Sequence, residues 1–116
     1  MIKTFYLTQF DLQPYYPVQV LSSDNNAYNL NGVTIVCTMK TKKGNTVKIN
    51  RQSTGINISD AANGKFEYRW RNVDVDTTGE YYIEFEITPA SGGKFTVPNP
   101  KDGRAQVTIV AGLDSS

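Results

Sequence analysis

Residues 80–88 read EYYIEFEIT, and this stretch decides the fold class because its apolar side chains recur at every second position. Tyr81, Ile83, Phe85 and Ile87 form the apolar set, and glutamates or a tyrosine separate them. Successive side chains of a β-strand point to opposite faces of a sheet. The pattern therefore predicts a strand that buries one face in a core and leaves the other face in water.

The same alternation appears in segments that precede this stretch. Residues 65–71 read KFEYRWR and residues 33–40 read VTIVCTMK, and in both an apolar side chain occupies every second position. Shorter strand-like runs lie at residues 3–10, 17–21, 46–51, 94–97 and 105–110. We expect the core between two sheets to include Ile35, Phe66, Tyr68, Trp70, Tyr81, Ile83 and Phe85.

Turn-forming residues separate these runs. Lys43-Gly44-Asn45 is predicted to close one hairpin, and Ser91-Gly92-Gly93 is predicted to close another. At most a short turn of helix is expected, around residues 73–78. Short strands at regular spacing predict an all-β antiparallel sandwich. Residues 1–110 are expected to form this single domain, and residues 111–116, which are mostly small and polar, are expected to form a flexible tail or linker.

The composition argues against catalysis and against partners that are captured by charge. The 116 residues carry a net charge of +1 and include one cysteine and no histidine. The most common general base and metal ligand is therefore missing. A nearly neutral chain is not expected to bind nucleic acid or an acidic membrane, and no apolar run is long enough to span a bilayer. We expect no enzyme activity and no cofactor.

Two local features could in principle support catalysis or metal binding, but a structural role explains each of them more simply. Cys37 lies within an apolar alternation, so a buried core position is expected; a single cysteine also fits synthesis in a reducing cytoplasm. Residues 72–76 read NVDVD and place oxygen ligands at alternate positions, as calcium loops do. The position of the loop glycine is Thr77 and that of the bidentate glutamate is Ile83, so the match fails twice. We interpret the segment as a polar corner, and no metal is predicted.

Candidate interaction residues are aromatic or basic. Tyrosine offers a large apolar surface with one hydroxyl, which suits protein interfaces and sugar stacking alike. A basic cluster surrounds the predicted hairpin turn at residues 43–45: Lys40, Lys42, Lys43, Lys48 and Arg51. The acidic side chains of residues 80–86 could pair with this cluster, within the molecule or between copies. The interaction candidates are Tyr15, Tyr16, Tyr28 and Tyr82, expected to be exposed, and Lys42 and Lys43.

The segment DVDTTGEY at residues 74–81 resembles the tyrosine corner of immunoglobulin-like sandwiches. In such a corner a tyrosine hydroxyl binds the backbone just before a central strand. The resemblance implies that Tyr81 donates a hydrogen bond to the backbone within residues 74–78. The position two residues after Tyr81 is Ile83 rather than cysteine, so a disulfide-bearing immunoglobulin domain is excluded.

A second resemblance covers nearly the whole chain. In order, the sequence carries QFD at residues 9–11, NLNGV at 29–33, GKFEYRW at 64–70, EFEIT at 84–88 and a closing strand at 107–110. In order and spacing these motifs resemble the immunoglobulin-like domain at the N-terminus of phage baseplate upper proteins. The resemblance implies an immunoglobulin-like antiparallel β-sandwich of about seven to nine strands.

The same resemblance implies a function in the phage virion. The expected role is a non-enzymatic structural or assembly module of the tail, baseplate or capsid surface. It would be made in the host cytoplasm and would bind neighbouring virion proteins in a homo- or hetero-oligomer. The alternative is a carbohydrate-binding or host-surface adhesion sandwich, which would need two or three exposed aromatics on one flat patch. An assembly module needs an apolar patch or a free sheet edge, and residues 3–10 and 105–110 are the expected edges.

Overall fold

Nine strands form the regular structure of the computed structural model, which describes residues 4–22, 24–98 and 103–113. Two single-turn 3₁₀ helices, Ala61–Asn63 and Asn72–Asp74, connect strands in this part of the chain. The strands are β1 (Thr4–Thr8), β2 (Tyr16–Gln19), β3 (Thr34–Thr41), β4 (Val47–Gln52), β5 (Ile56–Asp60), β6 (Lys65–Tyr68), β7 (Gly79–Thr88), β8 (Phe95–Val97) and β9 (Ala105–Val110).

The strands pair into a large and a small sheet that pack as a sandwich. The large sheet has the order β1-β9-β7-β3-β4, and the small sheet has the order β2-β6-β5. Strand β8 pairs with the second half of β7, and β9 pairs with its first half. The predicted all-β sandwich is confirmed. One pairing departs from the predicted antiparallel arrangement, because β1 runs parallel to β9.

The core lies between the two sheets and is rich in aromatic rings. The ring of Phe85, from the large sheet, lies 5.7 Å from that of Tyr16 and 5.2 Å from that of Phe66, both from the small sheet. The Trp70 indole donates a hydrogen bond to the Pro14 carbonyl at 3.0 Å. Cys37 is buried as expected. All seven residues that the sequence placed in the core are buried: Ile35, Phe66, Tyr68, Trp70, Tyr81, Ile83 and Phe85.

Both predicted hairpins are present. One strand, β5, was missed, and the expectation that β9 is an edge is wrong. Strands β3 and β4 form one hairpin and β7 and β8 form the other. Strand β5 was not predicted from the sequence. Strand β9 is not an edge, because it lies between β1 and β7 in the large sheet. The predicted tail, residues 111–116, is described only as far as Leu113, and residues 114–116 lie outside the described residues.

The corner before β7 is built on Asp74, a fully buried carboxylate. Tyr68 Oη donates to it at 2.6 Å, the Arg71 amide donates at 2.9 Å, and the Arg71 guanidinium reaches it at 2.7 Å. Buried charges are stable only when they are paired and hydrogen-bonded. Burial and the neighbouring Asp74 carboxylate raise the pKa of Tyr68, so its hydroxyl remains a donor. Asp74 therefore has a structural role in the polar corner.

Candidate protein-binding surface

Along β7, the outer face of the large sheet carries three acidic side chains and one tyrosine: Glu80, Tyr82, Glu84 and Glu86. Tyr81 and Ile83 point into the core, so the intervening residues of β7 point outward. Tyr82 has a basic and a polar cross-strand neighbour, because it lies opposite Lys40 of β3 and opposite Gln106 of β9. This face therefore brings the acidic residues of β7 beside the basic β3–β4 hairpin.

Ion pairs cross this face. Arg51 binds Glu86 at 2.9 Å, and Lys94 lies 3.6 Å from the same carboxylate. The hydrogen bond from Arg51 holds the pKa of Glu86 below its ordinary value. Lys42 lies 3.9 Å from Glu80, so the predicted candidate Lys42 has an acidic neighbour within the molecule.

The second basic candidate, Lys43, has a different environment. It lies in the exposed turn between β3 and β4, and the described residues include no ion pair to its ammonium group. The basic end of the hairpin is therefore only partly neutralised by the acidic positions of β7.

A groove of about 310 Å³ crosses the same face between β3 and the start of β9. The Arg104 guanidinium lies 5.7 Å from the centre of the Tyr82 ring, and its Nη1 lies 3.8 Å from the Glu84 carboxylate. The groove is lined by Thr38, Lys40, Asn45, Tyr82, Ile83, Glu84 and Arg104.

The four candidate tyrosines do not form one patch. The expectation that Tyr16 is exposed is wrong: it begins β2, pairs with Tyr68 and is fully buried. Tyr15, beside the small sheet, is half-buried with Arg69 at 5.2 Å from its ring centre. Tyr28 is half-buried against Phe95, with 5.2 Å between ring centres.

Tyr82 lies on the outer face of the large sheet, whereas Tyr15 lies beside the small sheet. The remaining candidates are thus divided between different parts of the surface. A flat platform of two or three stacked aromatics, as a sugar site requires, is not assembled from these tyrosines.

Strand β1 is an edge of the large sheet, as the sequence predicted. Tyr6, the most exposed side chain of this strand, was not singled out from the sequence. The strand reads TFYLT, with Phe5 and Leu7 buried and the Tyr6 side chain 68% exposed. Alternation within residues 3–10 was the available signal, because it places Tyr6 opposite to its two apolar neighbours.

The three other strands that end the two sheet orders, β2, β4 and β5, differ from β1. Strand β2 contains Pro17, which cannot donate to a ladder. Strands β4 and β5 have register shifts in their pairing with β3 and β6. Such prolines and bulges are devices that hinder pairing with a further strand, and β1 has neither.

The described residues provide little for catalysis or metal binding. Burial raises the pKa of the Cys37 thiol, and the nearby Asp74 charge raises it further. The group therefore stays a protonated thiol, which is the unreactive form. Among residues 4–22, 24–98 and 103–113, no group of three or more acidic or cysteine side chains is placed to hold a metal ion. In that same part of the chain, no helix has the length and apolar character needed to cross a membrane.

Comparison with known proteins identifies the protein family of this chain. The family model of the BppU N-terminal domain, the N-terminal domain of the baseplate upper protein, matches residues 18–99. The matched region begins within β2 and extends past β8, so it includes all of the small sheet except the first two residues of β2. No curated protein matches the chain. Since the match covers more than half of the sequence, the chain belongs to the BppU N-terminal domain family, a family of phage baseplate structural domains.

Proposed function

We propose that this domain is a non-enzymatic docking module that binds neighbouring proteins of the phage virion, in a homo- or hetero-oligomer. The baseplate is the position that the family favours. In this proposal residues 1–110 are the module, residues 111–116 link it to other parts of the particle, and the protein is made in the host cytoplasm. The buried, unactivated Cys37 and the lack of histidine support a role without catalysis.

The observation that carries the proposal is the edge of β1. An edge strand presents unpaired backbone N–H and C=O groups, and a partner strand can pair with them. Strand β1 has five consecutive residues without proline, charge or register shift, and it pairs in register with β9 along its whole length. Tyr6 adds an exposed aromatic side chain of the kind enriched in protein interfaces.

The experiment compares two charge insertions on exposed strand positions. Tyr6→Lys places a charge on β1, and Ile58→Lys places the same charge on β5, an edge of the small sheet. Each variant replaces the wild-type gene in the phage, and its amount in purified virions is measured against a capsid protein. Thermal melting of the purified variants checks that both still fold.

We expect Tyr6→Lys to reduce incorporation and Ile58→Lys to leave it near the wild-type level. Equal incorporation of both variants would exclude β1 as the docking edge. The carbohydrate-binding alternative is tested on a glycan array: millimolar or tighter binding that is lost in either Tyr15→Ala or Tyr82→Ala would replace the docking proposal with host-surface adhesion.

A further inference from the structure

The outer face of the large sheet, together with the turn between β3 and β4, is more basic than the chain as a whole. This surface has three more basic than acidic side chains, whereas the whole chain has a net charge of +1. The remainder of the chain is therefore net negative, with a charge of −2 (+1 minus +3). The basic residues are Lys40, Lys42, Lys43, Arg51, Lys94 and Arg104, and the acidic residues are Glu80, Glu84 and Glu86.

Within this surface, the groove beside Tyr82 carries positive charge that is only partly neutralised. Lys40 lines it, is exposed, and forms no ion pair or side-chain hydrogen bond with any of the described residues. Arg104 has Glu84 as its ion-pair partner at 3.8 Å, and both side chains are about half exposed. An exposed pair at this separation is weak. An incoming anion therefore meets two cations beside the Tyr82 ring: Lys40, which has no partner among the described residues, and Arg104, which is loosely paired.

We propose that this groove binds a carboxylate from an acidic segment of a neighbouring structural protein. The inference rests on the proposed docking function and specifies the chemistry of one partner contact. Complementary charge across an interface increases the association rate and selects the partner. Lys40 and Arg104 supply the two cations, and Asn45 and Thr38 supply neutral hydrogen-bonding groups in the same groove.

Two observations favour a protein carboxylate over a sugar or a nucleic acid. A sugar stacks on a free aromatic face, but Arg104 lies over the Tyr82 ring. A nucleic acid presents a continuous row of phosphates, but Glu80, Glu84 and Glu86 alternate along β7 on this face and would repel such a row. A single aspartate or glutamate side chain is small enough to avoid these carboxylates.

The first test is an NMR titration of the isotope-labelled domain with a hexapeptide that carries one glutamate among glycines, with the matching glutamine peptide as the neutral control. We expect shifts of the Lys40, Tyr82 and Arg104 amide signals and a dissociation constant that increases with salt. Lys40→Gln/Arg104→Gln is expected to weaken binding about tenfold, which corresponds to about 1.4 kcal/mol. Lys65→Gln/Arg69→Gln removes the same charge from the small sheet and should change the constant less than about twofold.

Three results of the titration would overturn the inference. These are absence of shifts at the groove, equal weakening by the two double variants, and tighter groove binding by a hyaluronan oligosaccharide or a DNA oligonucleotide than by the single-glutamate peptide. The second of these would show attraction to net charge alone.

Incorporation into virions separates this inference from the proposed function. If Lys40→Gln/Arg104→Gln enters virions as well as wild type, the groove is not a docking contact, whereas docking through β1 stands. If the wild-type chain is itself missing from virions, the proposed function fails, whatever the peptide titration shows. We expect reduced incorporation of this double variant and normal incorporation of Lys65→Gln/Arg69→Gln.

Discussion

The Tyr81 hydroxyl donates a hydrogen bond to the Thr77 carbonyl oxygen at 2.7 Å. Thr77 lies two residues before the start of β7, and Tyr81 is the first buried side chain of that strand. The bond therefore fixes how the chain begins the longest strand of the large sheet. The tyrosine-corner motif at residues 74–81 predicted this contact, and the structure confirms it.

Tyr81→Phe should remove this bond while preserving the buried ring. The expected loss in the free energy of unfolding is about 1 kcal/mol, the typical net value of one such hydrogen bond. Urea denaturation of the two proteins under identical conditions measures the difference. Equal stability would show that the corner contributes nothing to holding the start of β7.

Phe85→Ala should be far more destabilising. Phe85 is fully buried and contacts the rings of Tyr16 and Phe66 across the sandwich. Removing a buried phenylalanine ring is expected to cost about 3–5 kcal/mol, because the transfer free energy is lost and a cavity remains. Urea denaturation checks this value, and Tyr82→Ala on the outer face of the same strand is the control. A similar loss in the control would contradict the assigned faces of β7.

Gly64→Ala tests a close approach between backbone segments. Gly64 has φ of +70°, and a Cβ there would lie 2.4 Å from the Val20 carbonyl oxygen and 2.8 Å from that of Tyr28. Gly44 has φ of +86° with nothing within 4 Å of its Cβ position, so Gly44→Ala isolates the cost of the dihedral angle. Both variants should destabilise the fold, and Gly64→Ala should exceed the control by more than about 1 kcal/mol. Equal thermal unfolding curves would contradict the packing of Gly64 against residues 20 and 28.

The sequence predicts the faces of the long strands better than it predicts short ones. Tyr81 and Phe85 belong to a ten-residue strand with regular alternation, so their burial follows from local pattern. The expectation that Tyr16 is exposed was wrong, and the prolines at 14 and 17 leave no regular alternation around it that would have placed it inside. Its pairing with Tyr68, fifty-two residues away in the chain, determines that it points inward.

Two other features depend on contacts that local sequence does not specify. Residues 56–60 place apolar side chains only at Ile56 and Ile58, which is too short an alternation to predict a strand, and the pairing of β5 with β6 identifies it as one. Strand β9 is interior because β1, about a hundred residues away, pairs beside it. The groove that contains Tyr82 and Arg104 likewise forms only when β7 and β9 are neighbours.

Acid should destabilise the domain partly through Glu86. The hydrogen bond from Arg51 lowers the pKa of the Glu86 carboxyl from its ordinary value of 4.5. Since the folded pKa is below the unfolded one, this contribution to stability is present above the unfolded pKa and is lost as the pH falls through the folded pKa.

Urea midpoints measured between about pH 6 and about pH 3 should therefore fall, and the fall should be shallower in Glu86→Gln. Arg51→Gln is the reciprocal variant, and it should flatten the same part of the curve because it removes the donor. A wild-type slope in both variants would show that the Arg51–Glu86 pair makes no contribution in solution.

The central claim, that this chain is a structural component of the phage particle, is tested most directly by quantitative mass spectrometry of gradient-purified virions. We expect peptides from this chain at a fixed, small whole-number ratio to other baseplate proteins, retained after high-salt washing. Absence of the chain from particles whose other tail proteins are present would contradict the claim.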